Sequence, residues 1–147
     1  QTFHPSHPLF EALKKHDYPA FAEQQLKERL EAGLPPSTFQ ALIRSDAREQ
    51  SVAQAFLNNA NAQLQSLEGL GTQDASALTE VSVYPAVPMS IQRVANVERA
   101  QMLIESASRK ALHRVLELLQ EQLHASRSEP QHKGLIRWLV DVDPLAI

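Results

Sequence analysis

Apolar and polar residues alternate along the end of the chain, from residue 135 to residue 143. In an extended chain, side chains point to opposite faces with a period of two. One face therefore carries the apolar members of the run, which are Ile136, Trp138, Val140 and Val142. Pro144 ends the pattern, because proline has no N–H to donate to a neighbouring strand. The pattern predicts a buried β-strand that closes a domain.

Two other stretches have helical periodicity. Between residues 49 and 67, apolar residues recur on one helical face, and they are Ala53, Leu57, Ala60, Leu64 and Leu67. Ser108 is a suitable N-cap for a second, stronger helix. The apolar stripe of that helix consists of Leu112, Val115, Leu116, Leu119 and Leu123. Both patterns predict amphipathic helices that pack against a common core.

Three short apolar segments, at 39–44, 80–84 and 99–105, favour further strands. Residues 89–98 are expected to form an irregular hairpin connection, and residues 69–74 a loop. The order from residue 39 is then β-α-β-β-α-β. This order predicts an α+β fold of ferredoxin-like type, with one sheet and helices on one of its faces.

The first third of the chain predicts helices only. One helix is expected over about residues 9–16, and Asp17 can cap a second that carries Pro19 in its first turn. Gly33 favours a helix C-terminus, and Pro35 and Pro36 block continuation. We therefore expect a boundary here, with one unit at 1–36 and another at 37–147.

Composition narrows the function classes. The 147 residues include no cysteine, which excludes disulfides, a Cys-based zinc site and a thiol nucleophile. No apolar run reaches the ~20 residues of a membrane span, and a cytoplasmic location is expected.

Residues 1–88 carry 6 basic and 10 acidic side chains, whereas residues 89–147 carry 8 basic and 7 acidic ones. Strong autonomous DNA binding is not expected from so modest a basic excess. The chain lacks an initiator Met, so we expect it to be part of a longer protein.

Several short motifs, weak singly, occur in a fairly specific order along most of the chain. They are Gln1-Thr2 with His4-Pro5 and His7-Pro8, Gly33-Leu-Pro-Pro36, Val83 to Pro88, Arg99-x-Gln101, and the terminal Trp138-Leu-Val-Asp-Val-Asp-Pro144. Together they resemble the primosomal protein N′ (PriA) family of bacterial replication-restart DNA helicases. Tyr84 departs from the pattern, since the family usually has Gly there.

The resemblance implies that residues 1–36 are the helical tail of the second helicase lobe. It implies that residues 37–147 are the C-terminal domain, which binds DNA and partners. The family's ATP, Mg and zinc motifs lie upstream of this region, and the chain has no glycine cluster to cradle phosphate. We therefore expect no cofactor, no catalytic residue and no ATP hydrolysis in this chain, although the parent helicase hydrolyses ATP.

The implied partners are forked or single-stranded DNA, the acidic C-terminal tail of single-stranded-DNA-binding protein, and other primosome proteins. No membrane partner is expected. That tail ends in Asp-Phe with a free carboxylate, so its pocket needs a guanidinium and an apolar wall. The family's Arg for this role aligns with Arg109. His113 aligns with a family residue that is often Gln, and Lys110 completes the predicted tail-binding set.

Three arginines are expected to contact DNA phosphates, and these are Arg93, Arg99 and Arg137. Trp138 could stack on a base, but its alternation with apolar neighbours favours a core position. Asp141 and Asp143 could form a catalytic carboxylate pair, although hydrogen bonds from backbone or Arg fit them better.

Other interpretations remain open at this stage. His4 and His7 have the spacing of metal ligands but no third ligand nearby, so a turn is favoured. A free-standing ferredoxin-like regulatory domain would bind a small ligand at a dimer interface. A hydrolase of acylphosphatase type would need a donor-rich loop, which the scarcity of glycine disfavours.

Overall fold

Two units make up the chain, Gln1–Thr38 and Phe39–Ile147. The structure, a computed structural model, describes residues 2–67, 73–145 and 147. The predicted loop at 69–74 therefore lies mostly outside the described residues. The assignment of residues 1–36 to a helicase lobe stays a prediction.

The first unit consists of two helices, α1 (Pro8–Lys14) and α2 (Tyr18–Glu31). As predicted, Asp17 caps α2, because its Oδ1 accepts a hydrogen bond from the backbone N–H of Ala20 at 3.1 Å. Gly33 follows α2 with φ of 63°, a left-handed conformation that glycine adopts at little cost. Local capping thus sets both ends of this helix.

The second unit is built on an antiparallel sheet of five strands. The strands are β1 (Phe39–Ala47), β2 (Val81–Val83), β3 (Val87–Val94), β4 (Val97–Ser106) and β5 (Leu135–Val142). Their order is β2-β4-β1-β5, and β3 pairs with β4 as well. Because β2 and β3 line the same edge of β4, they take the place of one strand. The predicted ferredoxin-like topology is confirmed.

The hairpin predicted for residues 89–98 forms, with a register shift between Pro88 and Arg93, and its two arms are the strands β3 and β4. Arg93 pairs with Glu98 and Val94 with Val97, across a turn made by Ala95 and Asn96. Both turn residues have positive φ, 48° and 63°, as in the tight turns that match the twist of a hairpin. The sequence lacks the Asn-Gly or Asp-Gly pair that is typical of such turns, and it did not predict that one arm of the hairpin is the strand β3.

Among its described residues this unit has three α-helices, α3 (Gln50–Gln65), α4 (Gln73–Thr79) and α5 (Arg109–Ser126). The stripe predicted for α5 is buried throughout, and so is that of α3 up to Leu64. Both stripes pack against alternate residues of β1 and β4, chiefly Ala41, Ile43, Ala100, Met102 and Ile104. A short 3-10 helix, Pro130–His132, precedes β5. The helix α4 was not predicted.

The strand β5 forms at its predicted position, but part of its predicted burial is wrong. It pairs with β1 alone, at the edge of the sheet. Ile136 and Val142 are 43% and 40% exposed. A register shift places Leu135 opposite Ala47 and leaves Ile136 outside the ladder. An extra residue of this kind breaks the alternation of faces.

Candidate functional site

Arg109 is the first residue of α5, and its guanidinium lies between an aromatic ring and a carboxylate. Its Cζ is 4.4 Å from the centroid of the Phe39 ring, close enough for a cation–π contact. Its Nη1 donates to Oδ2 of Asp143 at 3.0 Å. The side chains of Arg109 and Asp143 are 50% and 51% exposed. The guanidinium is therefore held in place while half of the Arg109 side chain remains exposed.

Asp143 reaches Arg109 from the residue just after β5. Its backbone N–H donates to the carbonyl oxygen of Gln40 at 2.9 Å, which prolongs the pairing of β5 with β1. Its φ is 53°, in the left-handed region that aspartate and asparagine tolerate better than most residues. The strand end and the backbone turn together aim the carboxylate at the start of α5.

Lys110 and His113 follow Arg109 in the first turns of α5, and His113, one turn later, lies on the same helix face as Arg109. Both line a cleft of about 580 Å³ between α4 and the first turns of α5, and Arg109 is not among its lining residues. Arg114 closes one side of this cleft, since its Nε donates to Asp74 at 2.8 Å and its Nη1 to Glu117 at 2.9 Å. The hydrogen bond to Asp74, followed by that to Glu117, raises the pKa of Arg114 above its usual range.

The predicted DNA contacts Arg99 and Arg137 meet at one carboxylate. Nε of Arg137 donates to Oδ2 of Asp46 at 2.7 Å, and Nε of Arg99 lies 3.7 Å from Oδ1 of the same residue. The register of β4, β1 and β5 causes this, because Asp46 stands opposite both arginines. Two cations thus share one anion, and the Arg137 side chain is 71% exposed.

Arg93 lies apart from this group, on the β3 hairpin. Its Nη2 donates to Asn96 at 3.0 Å, and its Nε is 3.5 Å from Glu98. The structure therefore brings two of the three predicted DNA contacts together and separates the third.

Asp141 and Asp143 pair with arginines, as the sequence suggested. Asp141 lies 3.4 Å from Nη1 of Arg44, and Asp143 binds Arg109. Sequence reasoning missed Phe39 and Arg44 as members of these groups. Only the strand pairing brings them there, and a single sequence contains no signal for that register.

Trp138 occupies a core position, which confirms the favoured interpretation. It packs against the hydrophobic core, with its ring centroid 5.3 Å from that of Phe56 and 5.0 Å from that of His124. The guanidinium of Arg127 lies 5.4 Å from the indole centroid. These contacts use much of the ring surface that a base would need for stacking.

His7 caps α1 rather than pairing with His4. Its Nδ1 accepts from the backbone N–H of Leu9 at 3.2 Å, and its Nε2 lies 3.2 Å from Glu28.

Across residues 2–67, 73–145 and 147, no cluster of three or more His, Cys, Asp or Glu side chains is arranged to hold a metal. Within the same residues, no helix has both the length and the apolar character to cross a bilayer.

Residues 30–145 match the family described as the primosomal protein N C-terminal domain. The chain belongs to this family. It is also 32% identical over 144 residues to the replication restart protein PriA of Haemophilus influenzae, and the match covers 98% of this chain but 18% of that protein. The chain therefore spans about a fifth of the length of this relative.

Two solved structures share parts of the fold at low similarity. The designed protein Foldit4 has a TM-score of 0.46 at 9% identity, over 73% of this chain and 97% of its own. A dimeric ferredoxin-like protein from an uncultured marine organism has a TM-score of 0.37 at 14% identity, over 72% of this chain and 85% of its own.

Proposed function

We propose that this chain is the C-terminal part of a replication-restart DNA helicase and acts in it as an interaction module. It binds DNA at stalled forks and captures the acidic C-terminal tail of single-stranded-DNA-binding protein, and so recruits the primosome. Membership of the primosomal protein N C-terminal domain family supports this role. ATP, Mg and zinc chemistry belongs in this proposal to the rest of the helicase.

One observation supports the tail-binding role most directly. The guanidinium of Arg109 lies over the Phe39 ring, while the Arg109 side chain is half exposed. A guanidinium has five N–H donors in a planar fork that suits a carboxylate. The position of Arg109 in the first turn of α5 adds the positive end of the helix dipole. The terminal carboxylate of the tail binds Arg109. The aromatic ring of the last tail residue packs on an apolar surface beside Arg109.

Lys110 and His113 serve a different part of the same ligand. Both residues line the α4–α5 cleft, and His113 also follows Arg109 by one helical turn on the same face of α5. They contact the acidic residues that precede the aromatic one. Part of the pocket belongs to the helicase lobe, so the isolated chain binds weakly.

DNA contacts come from the sheet side of the domain. Arg99 and Arg137 share the carboxylate of Asp46, so their two positive charges exceed its negative charge by one. Such a surface contacts phosphates without reading sequence. An excess of one positive charge is too small for tight DNA binding by this chain alone. It can strengthen DNA binding by the larger protein.

A peptide titration tests the tail-binding role. A fluorescent peptide that ends in Asp-Phe with a free carboxylate is titrated with this chain and with the full-length helicase. We expect saturable binding that Arg109→Ala weakens about tenfold or more, since a charge-assisted pair is lost. The same peptide with an amidated C-terminus should bind the wild-type chain as weakly as the free-carboxylate peptide binds Arg109→Ala.

Arg127→Ala provides the matched control. It removes the same charge at the opposite end of α5, where the guanidinium contacts Trp138, and it should leave binding unchanged. Binding by the full-length protein alone would assign most of the pocket to the helicase lobe. Absence of binding by both proteins, or equal binding by Arg109→Ala, would overturn the proposal.

A further inference from the structure

We infer that Asp143 is an internal carboxylate ligand of Arg109, which the carboxylate of an incoming acidic peptide must displace. Asp143 thereby lowers the affinity of the site for single carboxylates, most of all at low salt, where charges are least screened. The inference rests on the proposed function of Arg109 as the carboxylate-binding residue.

The contact between the two residues has the form of a replaceable ligand. Within the described part of the chain, one Asp143 oxygen accepts one hydrogen bond from Nη1 of Arg109, at 3.0 Å. The other N–H groups of the guanidinium fork have no partner among these residues. Both side chains are half exposed, so water and a competing carboxylate reach the pair. Exposed pairs of this kind are weak and are exchanged easily.

Each partner is also positioned without the other. The Phe39 ring lies 4.4 Å from the guanidinium carbon of Arg109, and this contact remains when the carboxylate leaves. Asp143 is fixed by its backbone N–H on the carbonyl oxygen of Gln40, at 2.9 Å. The guanidinium therefore keeps its place after displacement, and the bound ligand meets a preformed site.

The charge of Asp143 acts against an incoming anion in two ways. It offsets the positive charge of Arg109, and it repels a second carboxylate that approaches the same fork. A ligand that binds through both carboxylate oxygens and also packs an aromatic ring overcomes this competition. A ligand with a carboxylate but no aromatic ring gains only the hydrogen bonds to Arg109. Asp143 thus acts as a specificity-determining residue for the tail.

The variant Asp143→Asn removes this charge with little change of shape. Asparagine tolerates left-handed φ as well as aspartate does, and its side-chain oxygen still accepts from Arg109. We expect this variant to bind the Asp-Phe-carboxylate peptide about three- to fivefold more tightly than the wild type at low salt. The difference should shrink near roughly 0.5 M salt, where exposed charges are screened.

Asp141→Asn is the matched control. It changes the net charge equally from a position two residues earlier, within β5. Asp141 pairs with Arg44, however, so peptide affinity should stay at the wild-type value. In an Arg109→Ala background, Asp143→Asn should give no gain, because the two effects act through one contact. Thermal unfolding of each variant checks that it is folded.

The outcomes separate the inference from the function on which it rests. Binding by Asp143→Asn that is equal to or weaker than that of the wild type would overturn the role of Asp143 alone. Equal tightening by Asp141→Asn would do the same, because the effect would then be one of general charge. Binding by Asp143→Asn but not by the wild type would support the inference. If no variant binds in either the chain or the full-length protein, the proposed function fails together with the inference.

Discussion

Asp46 on β1 accepts a 2.7 Å hydrogen bond from Arg137 on β5, across 91 residues of sequence. Arg99 approaches the same carboxylate from β4, on the other side of β1. The Asp46 side chain is 10% exposed, whereas that of Arg137 is 71% exposed. The sheet therefore buries an anion beneath two cations, and this arrangement links stability with the DNA binding that we propose.

Asp46→Asn should destabilise the domain by about 1–2 kcal/mol, because a nearly buried partner of two charged donors loses its charge. Urea unfolding followed by the fluorescence of the single tryptophan, Trp138, measures this. Asp141→Asn, whose side chain is 37% exposed, should cost less than about 0.5 kcal/mol. Equal costs for the two variants would show that burial of Asp46 does not matter.

DNA binding should depend on Arg99 and Arg137. Replacement of either by Ala should weaken binding of single-stranded DNA similarly for all sequences and reduce the salt slope by about one. Asp46→Asn should strengthen binding, since it leaves both cations without their counter-charge. Fluorescence anisotropy at several salt concentrations gives both quantities.

Arg114→Ala controls this experiment, because Arg114 is held by Asp74 and Glu117 near the α4–α5 cleft. It removes the same charge from a different surface and should have little effect. A loss as large as that of Arg137→Ala would mean that overall charge, rather than the sheet surface, governs DNA binding.

His132 should be important for stability. It is 2% exposed, its Nδ1 lies 2.8 Å from the carbonyl oxygen of Ser126, and its Nε2 lies 3.0 Å from Nδ2 of Asn59. Its ring also meets that of Phe56 edge to face. His132→Ala should cost about 2–3 kcal/mol, since it leaves a cavity and unpaired polar groups.

The exposed His113 offers the comparison, and His113→Ala should change the free energy of unfolding by less than about 0.5 kcal/mol. Denaturant titration measures both variants. Similar small values for the two would contradict the buried network around His132.

Glu11 should titrate below its ordinary range. The hydrogen bond from Lys14, 3.0 Å long, and then the charge of Lys14 lower the pKa of this carboxyl. Any stability from the pair is present above the unfolded-state pKa and is lost as the pH falls through the lowered folded-state value, in the acid range below about pH 4. Carbon-detected NMR titration of Glu11 should show the pKa rise in Lys14→Ala.

Lys15→Ala is the matched variant, because the charge of Lys15 is the smallest of the causes that lower the pKa. It should move the Glu11 pKa less than Lys14→Ala does. A larger shift with Lys15→Ala would show that the hydrogen bond is not the main cause.

Local patterns predicted the helices of the sheet unit well. The stripe from Leu112 to Leu123 is buried in α5, and Ser108 caps this helix by accepting from Ala111 at 3.2 Å. Helical period and capping involve residues within a few positions of each other, so a single sequence contains them. The short helix α4 and the strand β3 have weak local signals, and they were missed.

Burial along β5 could not be predicted in the same way. Ile136 and Trp138 have equivalent places in the alternation, yet Ile136 is 43% exposed and Trp138 packs on the core. The difference arises from the edge position of β5 and from the register shift against β1. Both depend on pairing with a strand about ninety residues away.

The sequence by itself determined the class of fold, the family, and the order of the elements apart from α4 and β3, because periodicity, capping and motif spacing are properties of neighbouring residues. It also indicated Arg109 through family resemblance. Only the tertiary structure decided that Phe39 and Asp143 enclose this guanidinium while Lys110 and His113 line another cleft. That choice depends on strand register and on the packing of α5 against the sheet, which join residues far apart in the chain.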